Sequence, residues 1–584
     1  MKKLNSILLV LLFIATISPA SQAKTFSPVG VDPRLEDKVA FTVQDLRNGP
    51  SFVSLLMKPR SGAEGEGPHG LWCRSFTTDN CKLELGSQVQ AHAIIPTCKA
   101  SEGNCIQEFA LTTSVSGRVR GEEISGFEKG FGYPSLESLN TPEGSVPSLW
   151  RVPGVLHAGG SDLYVVAANM SFRVIDGVRV EYGGLSVSVY PVTEVLGATY
   201  RPAEVGPAIV DGKLIWAHDN GERGAVNDCT LTTTGKCWSR EDFSPEVRTE
   251  IAIRASAEVS GWLHGRLEDP NITIDSYSST QNLIRVSAKP VQVPMMYAET
   301  QFSTLEPEFK EIFATPFSQG GFFLGKKWYQ YPSYEDRSRK LISRFAATAG
   351  DKAAAVQTSW QFNSISSSQA QDPCFVGQRG LVGLVTTNAM AYDQTAPEFR
   401  DGSLEYSVAG LHFLPDGKKA LGVYDLLVRS DIARCLYGFS KAPISAKVSV
   451  ITSDGESVVA TTQVSEKDGW LKLGAYGFTY SEKTIKAKLV QPQTKVLSKF
   501  RSGSRALSIV QRRQVDEFAS LAVGAELVTC TGTFVGAKNQ SIALAQAKAA
   551  CAYAASRLDG VRVVTKTLAV KKASESLRVY LKSQ

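Results

Sequence analysis

Ten cysteines fall along this chain as five close neighbours in sequence: Cys73 with Cys81, Cys98 with Cys105, Cys229 with Cys237, Cys374 with Cys435, and Cys530 with Cys551. An even set at such spacings points to disulfides, each closure removing unfolded-state entropy worth roughly 2 to 4 kcal/mol when unstrained. Spacing alone leaves the connectivity open. The competing use of cysteine is zinc ligation, but no Cys-x-x-Cys occurs and the six histidines lie far apart, so no metal and no cofactor is expected. A chain stapled in this way belongs in an oxidising compartment.

The first residues agree. Lys2 and Lys3, the apolar run from Ile7 to Ile17 and Ser21-Gln22-Ala23 form the charged, apolar and small-residue parts of a signal peptide cleaved after Ala23. That run falls well short of the ~20 residues a spanning helix needs, so no transmembrane anchor is expected. There is no twin arginine, no lipobox cysteine near the cleavage point and no apolar tail after Leu581-Lys582-Ser583-Gln584. The expected location is secreted or cell envelope.

With 584 residues, 43% hydrophobic and 21% charged, the chain has the makings of real cores. At ~100 to 200 residues per domain it suggests three to five units. The net charge of +6 conceals an asymmetry: from Pro492 onward 15 Lys or Arg face five Asp or Glu, which leaves residues 24 to 491 at about −6. A basic end follows an acidic body.

Turn chemistry dominates the body. Asp176-Gly177, Asp211-Gly212, Asp401-Gly402, Asp416-Gly417, Asp454-Gly455 and Asp468-Gly469 each separate β-prone runs, and Asp-Gly suits tight hairpins whose two turn residues need positive φ. Ile444 to Ile451 and Leu185 to Val189 alternate apolar and small polar residues, one apolar face every second position. The expected class is multidomain and mainly β, with sandwich-like units stapled by disulfides. The expected division is 24–146, holding two cysteine pairs; 147–293, with long paired strands at 164–175 and 178–190; and 294–491, sandwich-like, with a helical insertion near 334–355 and a staple from Cys374 to Cys435. In that insertion Leu341, Phe345 and Ala349 are spaced by four.

Past Pro492 strand and helix patterns alternate. Leu507 to Leu521 predicts a helix, Glu526 to Val535 a strand, Ser541 to Leu558 a second helix, and Val561 to Val570 with Ser576 to Leu581 two closing strands: an α/β sandwich. The second helix carries Leu544, Ala547, Cys551, Ala554 and Leu558 as one stripe, and Asp559-Gly560 ends it. In order and in residues, Val528-Thr529-Cys530-Thr531-Gly532-Thr533 on the strand and Leu544 to Tyr553 on the helix, this stretch resembles the OmpA-like domain, a peptidoglycan-binding family, over about the last 90 residues. The resemblance implies the fold. In the family an aspartate and an arginine clasp the diaminopimelate of the peptide stem; here those positions are Val535, aligned on Gly532, and Gln546, so neither charged ligand is present. Lys548 lies two residues on, about 200° round the helix, and does not replace the arginine. The body resembles uncharacterised exported proteins of high-GC Gram-positive bacteria, through Gly261 to Leu267 and Gly383 to Ala389. That likeness implies an envelope setting and no chemistry.

Local catalytic signatures are missing: no His-Glu-x-x-His, no Gly-x-Ser-x-Gly and no EF-hand loop. Gly320 to Lys326 has phosphate-loop spacing, but Lys327 stands where the magnesium-binding hydroxyl belongs. Glycosidases need only two carboxylates brought together by folding, which a sequence does not display. The candidate site residues are His218, Asp219, Glu222 and Arg223, which place an imidazole, two carboxylates and a guanidinium on one loop, weighed against a solvated turn. A second set is Lys326, Lys327, Trp328 and Tyr329, where rings beside lysines suit sugars or an anionic polymer, weighed against core aromatics. His264, His412, Trp150, Trp262 and Trp470 are expected in core or edge positions.

The expected function is that of a non-catalytic envelope or extracellular protein. Its basic C-terminal domain associates with a cell-wall or other anionic surface polymer, and its β body makes specific contacts with carbohydrate or protein. A secreted carbohydrate-active enzyme with a degenerate wall-binding tail, or a structural surface or adhesion component, are the alternatives. Nucleic acid is not an expected partner, because the basic surplus comes without a reading motif.

Overall fold

The computed structural model describes residues 38–45, 54–59, 70–78, 81–98, 103–124, 132–196, 204–210, 213–219, 229–233, 236–314, 322–323, 328–334, 336–365, 372–375, 378, 380–439, 445–452, 457–458, 461–480, 483–490, 493–522, 525, 527–558 and 560–583. The signal segment therefore lies outside the described residues.

The strands that carry the argument are, in chain order, β1 (Lys38–Gln44), β2 (Gln88–Ile94), β3 (Cys105–Thr113), β4 (Leu163–Ile175), β5 (Arg179–Leu196), β6 (Arg248–Ser256), β7 (Gly261–Arg266), β8 (Glu268–Ser276), β9 (Gln281–Lys289) and β10 (Val291–Gln301). After helix α1 (Asp336–Phe345) come β11 (Ala355–Ile365), β12 (Leu381–Thr387), β13 (Ser403–Ala409), β14 (Leu421–Arg429), β15 (Ser445–Thr452), β16 (Trp470–Thr479) and β17 (Lys483–Val490).

A central sheet runs β2-β4-β5-β11-β7-β12-β14-β16, antiparallel except for the parallel pair β7 and β12. A second sheet built on β8, β9, β6 and β3 covers one of its faces, and a third built on β13, β17 and β15 covers the far half of the other. Core membership shows how, with the alternation of β12 changed by the register shift opposite Gly261 and Trp262. In β12, Leu381 and Leu384 enter the core shared with the second sheet, while Val382 and Val385 enter the core shared with the third. Every residue of β12 is buried, which is why its sequence reads as one apolar run rather than an alternation.

The hairpin chemistry is as expected at the long β4–β5 pair, where Asp176 (φ 55°) and Gly177 (φ 68°) are both left-handed. Asp401 and Gly402, and Asp468 and Gly469, do the same. At Asp416-Gly417 only the glycine is left-handed, and the remaining two pairs lie outside the described residues, between strands that do pair.

The divisions at 146/147 and 293/294 do not separate sheets. β3 pairs with β6, β2 pairs with β4, and β1 pairs with β10, while β7 joins β11 and β12. The physical reason is that the main core of the body is shared: residues from all three blocks, from Leu56 to Trp470, pack in it, so strands of one block complete sheets of another. Helix α1 is shorter than the expected 334–355 stretch; it buries Leu341 and Phe345 and ends there, with Gly350 and Asp351 at positive φ turning the chain into β11.

Among the described residues four disulfides are formed: Cys73–Cys81, Cys98–Cys105, Cys374–Cys435 and Cys530–Cys551. For Cys229 and Cys237 only the backbone is described, and it sits on the paired strands Cys229–Thr233 and Lys236–Arg240.

The C-terminal unit has two layers. Strands β18 (Thr494–Val496), β19 (Leu527–Phe534), β20 (Arg562–Ala569) and β21 (Val579–Ser583) form a sheet in the order β18-β21-β19-β20, with helices α2 (Ile509–Leu521) and α3 (Gln540–Ala555) on one face. Strand β18, only three residues long, is not among the expected elements. The stripe of α3 differs as well. Ala543, Ala547, Ala550, Cys551 and Ala554 are buried, and Leu544 is only half-buried, because the helix lies so close to β19 that a Cβ on Gly532 would fall 2.1 Å from the Ala543 carbonyl oxygen. Small side chains permit that approach.

Candidate functional site

On the same face as the third sheet, nearer the start of the central sheet, the outward residues of four strands line a cleft of about 310 Å³ in which Asn169, Ser188 and Gln361 are buried. Alternation places Val166, Ala168 and Met170 of β4, Leu185 and Val187 of β5, and Trp360 and Phe362 of β11 in the core. The residues between them face the cleft: Asn169, Ser171, Ser186, Ser188, Gln361 and Asn363, with His92 from β2 at one end.

Strand register lines these groups up. Asn169 pairs with Ser186, Ser186 with Asn363, and Asn363 with His264, so one row of amide, hydroxyl, amide and imidazole crosses β4, β5, β11 and β7. Alongside it, Ser188 pairs with Gln361 and Gln361 with Arg266. A register shift between Tyr182 and Gly184 bends β5 at the cleft floor. Glycine suits this bend, since a Cβ on Gly183 would come 3.1 Å from the Ser171 hydroxyl and one on Gly184 3.1 Å from the Ser364 Cβ.

Hydrogen bonds fix the lining. His92 Nε2 donates to Asn169 Oδ1 at 3.2 Å, the Ser364 hydroxyl accepts from the Leu185 amide at 2.9 Å, and Asn363 Nδ2 donates to the Ser364 carbonyl at 3.1 Å. Beside the cleft, on the same face of the sheet, lies a buried ion pair. Arg266 Nε donates to Asp45 Oδ2 at 2.5 Å, and its Nη1 donates to the carbonyls of Thr387 and Ala389 at 3.0 and 2.7 Å. Gln361 Nε2 lies 3.4 Å from the same Asp45 oxygen, linking the pair to the cleft. The guanidinium sits 4.5 Å over the Tyr392 ring, on which His264 is stacked at 3.9 Å. Burial works against the Arg266 charge, but Asp45 outweighs it and the guanidinium is held more firmly protonated than usual. Arg266 Nη2 and Asp45 Oδ1 have no hydrogen-bond partner among the described residues.

A larger cleft, about 980 Å³, lies beside α1 and mixes both signs of charge. Much of that charge is internally satisfied: Arg339 bridges Asp336 at 2.6 Å and also reaches Asp393, Arg400 contacts Glu398, and Lys486 holds Glu405 at 2.6 Å. A ligand there competes with existing pairs, whereas the smaller cleft presents neutral donors and acceptors. Among the described residues no group of three or more His, Cys, Asp or Glu is placed to hold a metal, and no helix is long and apolar enough to cross a membrane.

The residues singled out from sequence are elsewhere. His218 and Asp219 end the strand Lys213–Asp219, which pairs only with Glu204–Val210 in a sheet of its own among the described residues. Trp328 and Tyr329 lie on Trp328–Pro332, parallel to β1. Glu222, Arg223, Lys326 and Lys327 lie outside the described residues. Of the phosphate-loop spacing, Phe322–Phe323 forms a strand and the next element is a strand, not the helix a phosphate loop requires. Trp150, Trp262 and Trp470 are core residues, as expected, at 6%, 2% and 7% exposure. His412 is held by Asp351 at 2.7 Å. Gln546 is wholly buried and donates from Nε2 to the Ser504 carbonyl at 2.8 Å, while Val535 is half-buried at the end of β19, its carbonyl accepting from Asn539.

The cleft residues were missed because each, alone, is an ordinary polar position on an alternating strand. The available signal was their type: a solvated sheet face is usually rich in Lys and Glu, and Ala168-Asn-Met-Ser171, Leu185-Ser-Val-Ser188 and Trp360-Gln-Phe-Asn363 carry amides and hydroxyls instead. No protein-family model matches the chain, and the comparison with curated proteins finds no relative.

Proposed function

We propose that this is an exported, non-catalytic envelope protein whose β body binds a polyhydroxylated ligand, a segment of glycan, in the His92–Asn169–Asn363 cleft, and whose basic C-terminal unit associates with an anionic surface polymer. The observation that carries it is the cross-strand row of neutral amides and hydroxyls: sugar hydroxyls both donate and accept, and Asn, Gln and Ser match them without the desolvation cost of charges. Among the described residues the cleft lining contains no Asp or Glu, and hydrolysis of a glycosidic bond ordinarily uses two carboxylates, so this lining favours retention over cleavage. Four disulfides and the signal-like first 23 residues support export. For the C-terminal unit we keep the OmpA-like reading of its strand and helix order. A buried Gln546 in the arginine's place argues that any wall association there is made elsewhere than in the family pocket.

Calorimetric titration of the mature protein with wall-derived oligosaccharides tests this. Binding is expected, and Asn169→Ala and Asn363→Ala are each expected to weaken it about tenfold, the loss of one to two hydrogen bonds. Wild-type protein that binds no glycan, or that releases new reducing ends, sinks the proposal.

A further inference from the structure

The C-terminal sheet has a second face. Helices α2 and α3 cover the side carrying Val528, Cys530, Val579 and Leu581. Alternation sends Arg562 and Lys566 of β20, and Tyr580 and Lys582 of β21, to the opposite side. Register gathers them into rows. Val496, Tyr580, Thr531 and Lys566 form one, and Thr494, Lys582, Thr529 and Val564 the next. Arg562, Lys566 and Lys582 are exposed, and the Tyr580 ring, two inter-strand steps or about 10 Å across from Lys566, is 37% exposed.

Among the described strand residues the charge on this face is of one sign. The four strands contain no Asp or Glu. Asp516 and Glu517 belong to α2 on the covered side, where they hold Arg557 at 2.9 Å and Lys495 at 2.8 Å. Among the described residues no carboxylate neutralises Arg562, Lys566 or Lys582.

We propose that this open face is the binding surface for a phosphodiester-linked polyol chain, with Arg562, Lys566 and Lys582 on successive phosphates and Tyr580 beneath the apolar carbons between them. The proposal rests on the envelope reading above and assigns its anionic partner a chemistry and a place. Isolated cations separated by threonine hydroxyls match a polymer whose single charges are separated by neutral linkers, and the hydroxyls of Thr529 and Thr531 add donors for phosphate oxygens. A sheet that holds single-stranded nucleic acid stacks successive bases on several aromatic rings. This face offers one.

The test uses the whole mature protein and poly(glycerol phosphate), titrated across a salt series. Wild type binds, and Lys566→Gln with Lys582→Gln lowers the slope of log affinity against log salt by about two, one for each phosphate that a lysine no longer meets. Tyr580→Ala weakens binding about tenfold at fixed salt. Lys538→Gln with Lys548→Gln, the same charge change away from the face, leaves both slope and affinity as they were. If the two pairs of variants fall alike, or if neither matters while wild type binds, the face assignment is overturned and the envelope reading stands. Tighter binding to single-stranded DNA or to phosphatidylglycerol vesicles than to the polymer overturns the assigned partner. Wild-type protein that binds none of the three overturns the envelope reading itself.

Discussion

Asp425 and Asp269 are one hydrogen bond apart and titrate in opposite directions. Asp425 is fully buried; burial pushes its carboxyl up to about 6, against weaker opposing pulls from the Tyr476 hydroxyl that donates to it, from Lys472 and from the Asp269 amide at 3.0 Å. Burial also raises Asp269, but Lys472 and Arg248 outweigh it and its carboxyl lies below the ordinary range. Since the native state holds the Asp425 proton more tightly than the unfolded chain does, this group's contribution to stability is complete below about pH 4 and is lost as pH rises through about 6. The Asp269 contribution runs the other way and is lost only in stronger acid. The denaturation midpoint of wild type should therefore gain a component between pH 7 and 5 that Asp425→Asn lacks; equal profiles for the two proteins would refute it. Arg266 offers a pH-independent counterpart. Arg266→Met strands the Asp45 carboxylate in the core and should cost about 3 to 5 kcal/mol by chemical denaturation, part of which Asp45→Asn restores. None of these pairings was legible beforehand: Asp45 and Arg266 are 221 positions apart, and only strand order brings them together.

Among the elements, β12 and α3 show what local pattern reveals and what it hides. The hairpins follow from Asp-Gly, and α3 follows from its helical period, because turn and helix chemistry act over a few residues. That β12 is covered on both faces was present in Leu381-Val-Gly-Leu-Val385 only as an unbroken apolar run; its parallel pairing with β7 was not visible at all. Gly383 exists there because Trp262 from β7 fills the space of its side chain, with ring atoms 2.2 to 2.7 Å from where a Cβ would stand. Gly383→Ala should cost about 1 to 3 kcal/mol by overpacking, and a neutral result would mean that the Trp262 ring moves freely. On the C-terminal sheet, Gly532→Ala meets a backbone carbonyl rather than a side chain, so relief requires moving α3 itself. It should destabilise at least as much. Replacing Cys530 and Cys551 with alanine, which unties α3 from β19, should cost about 2 to 4 kcal/mol.

At the scale of the molecule, the chain consists of one interleaved body and one attached unit. Strand β1 completes β10, β2 and β3 complete sheets begun more than fifty residues later in the chain, and β7 needs both β11 and β12. Composition and turn spacing made the β class evident, but the sequence is silent on which strands meet across such separations, and the expected three-part body failed on that point. The C-terminal unit, whose contacts are local, was read nearly complete. No strand of it pairs with the body among the described residues, and it has its own core and its own disulfide. Cooperativity follows shared packing and not sequence blocks, and β12 lines both cores of the body, so scanning calorimetry should show two transitions, one for the whole body and one for the C-terminal unit. Cys530→Ala with Cys551→Ala should lower only the second, and Arg266→Met only the first. A third transition would mean that the body divides after all, and a single one shifted by both changes would mean that the basic unit and the acidic body unfold as one.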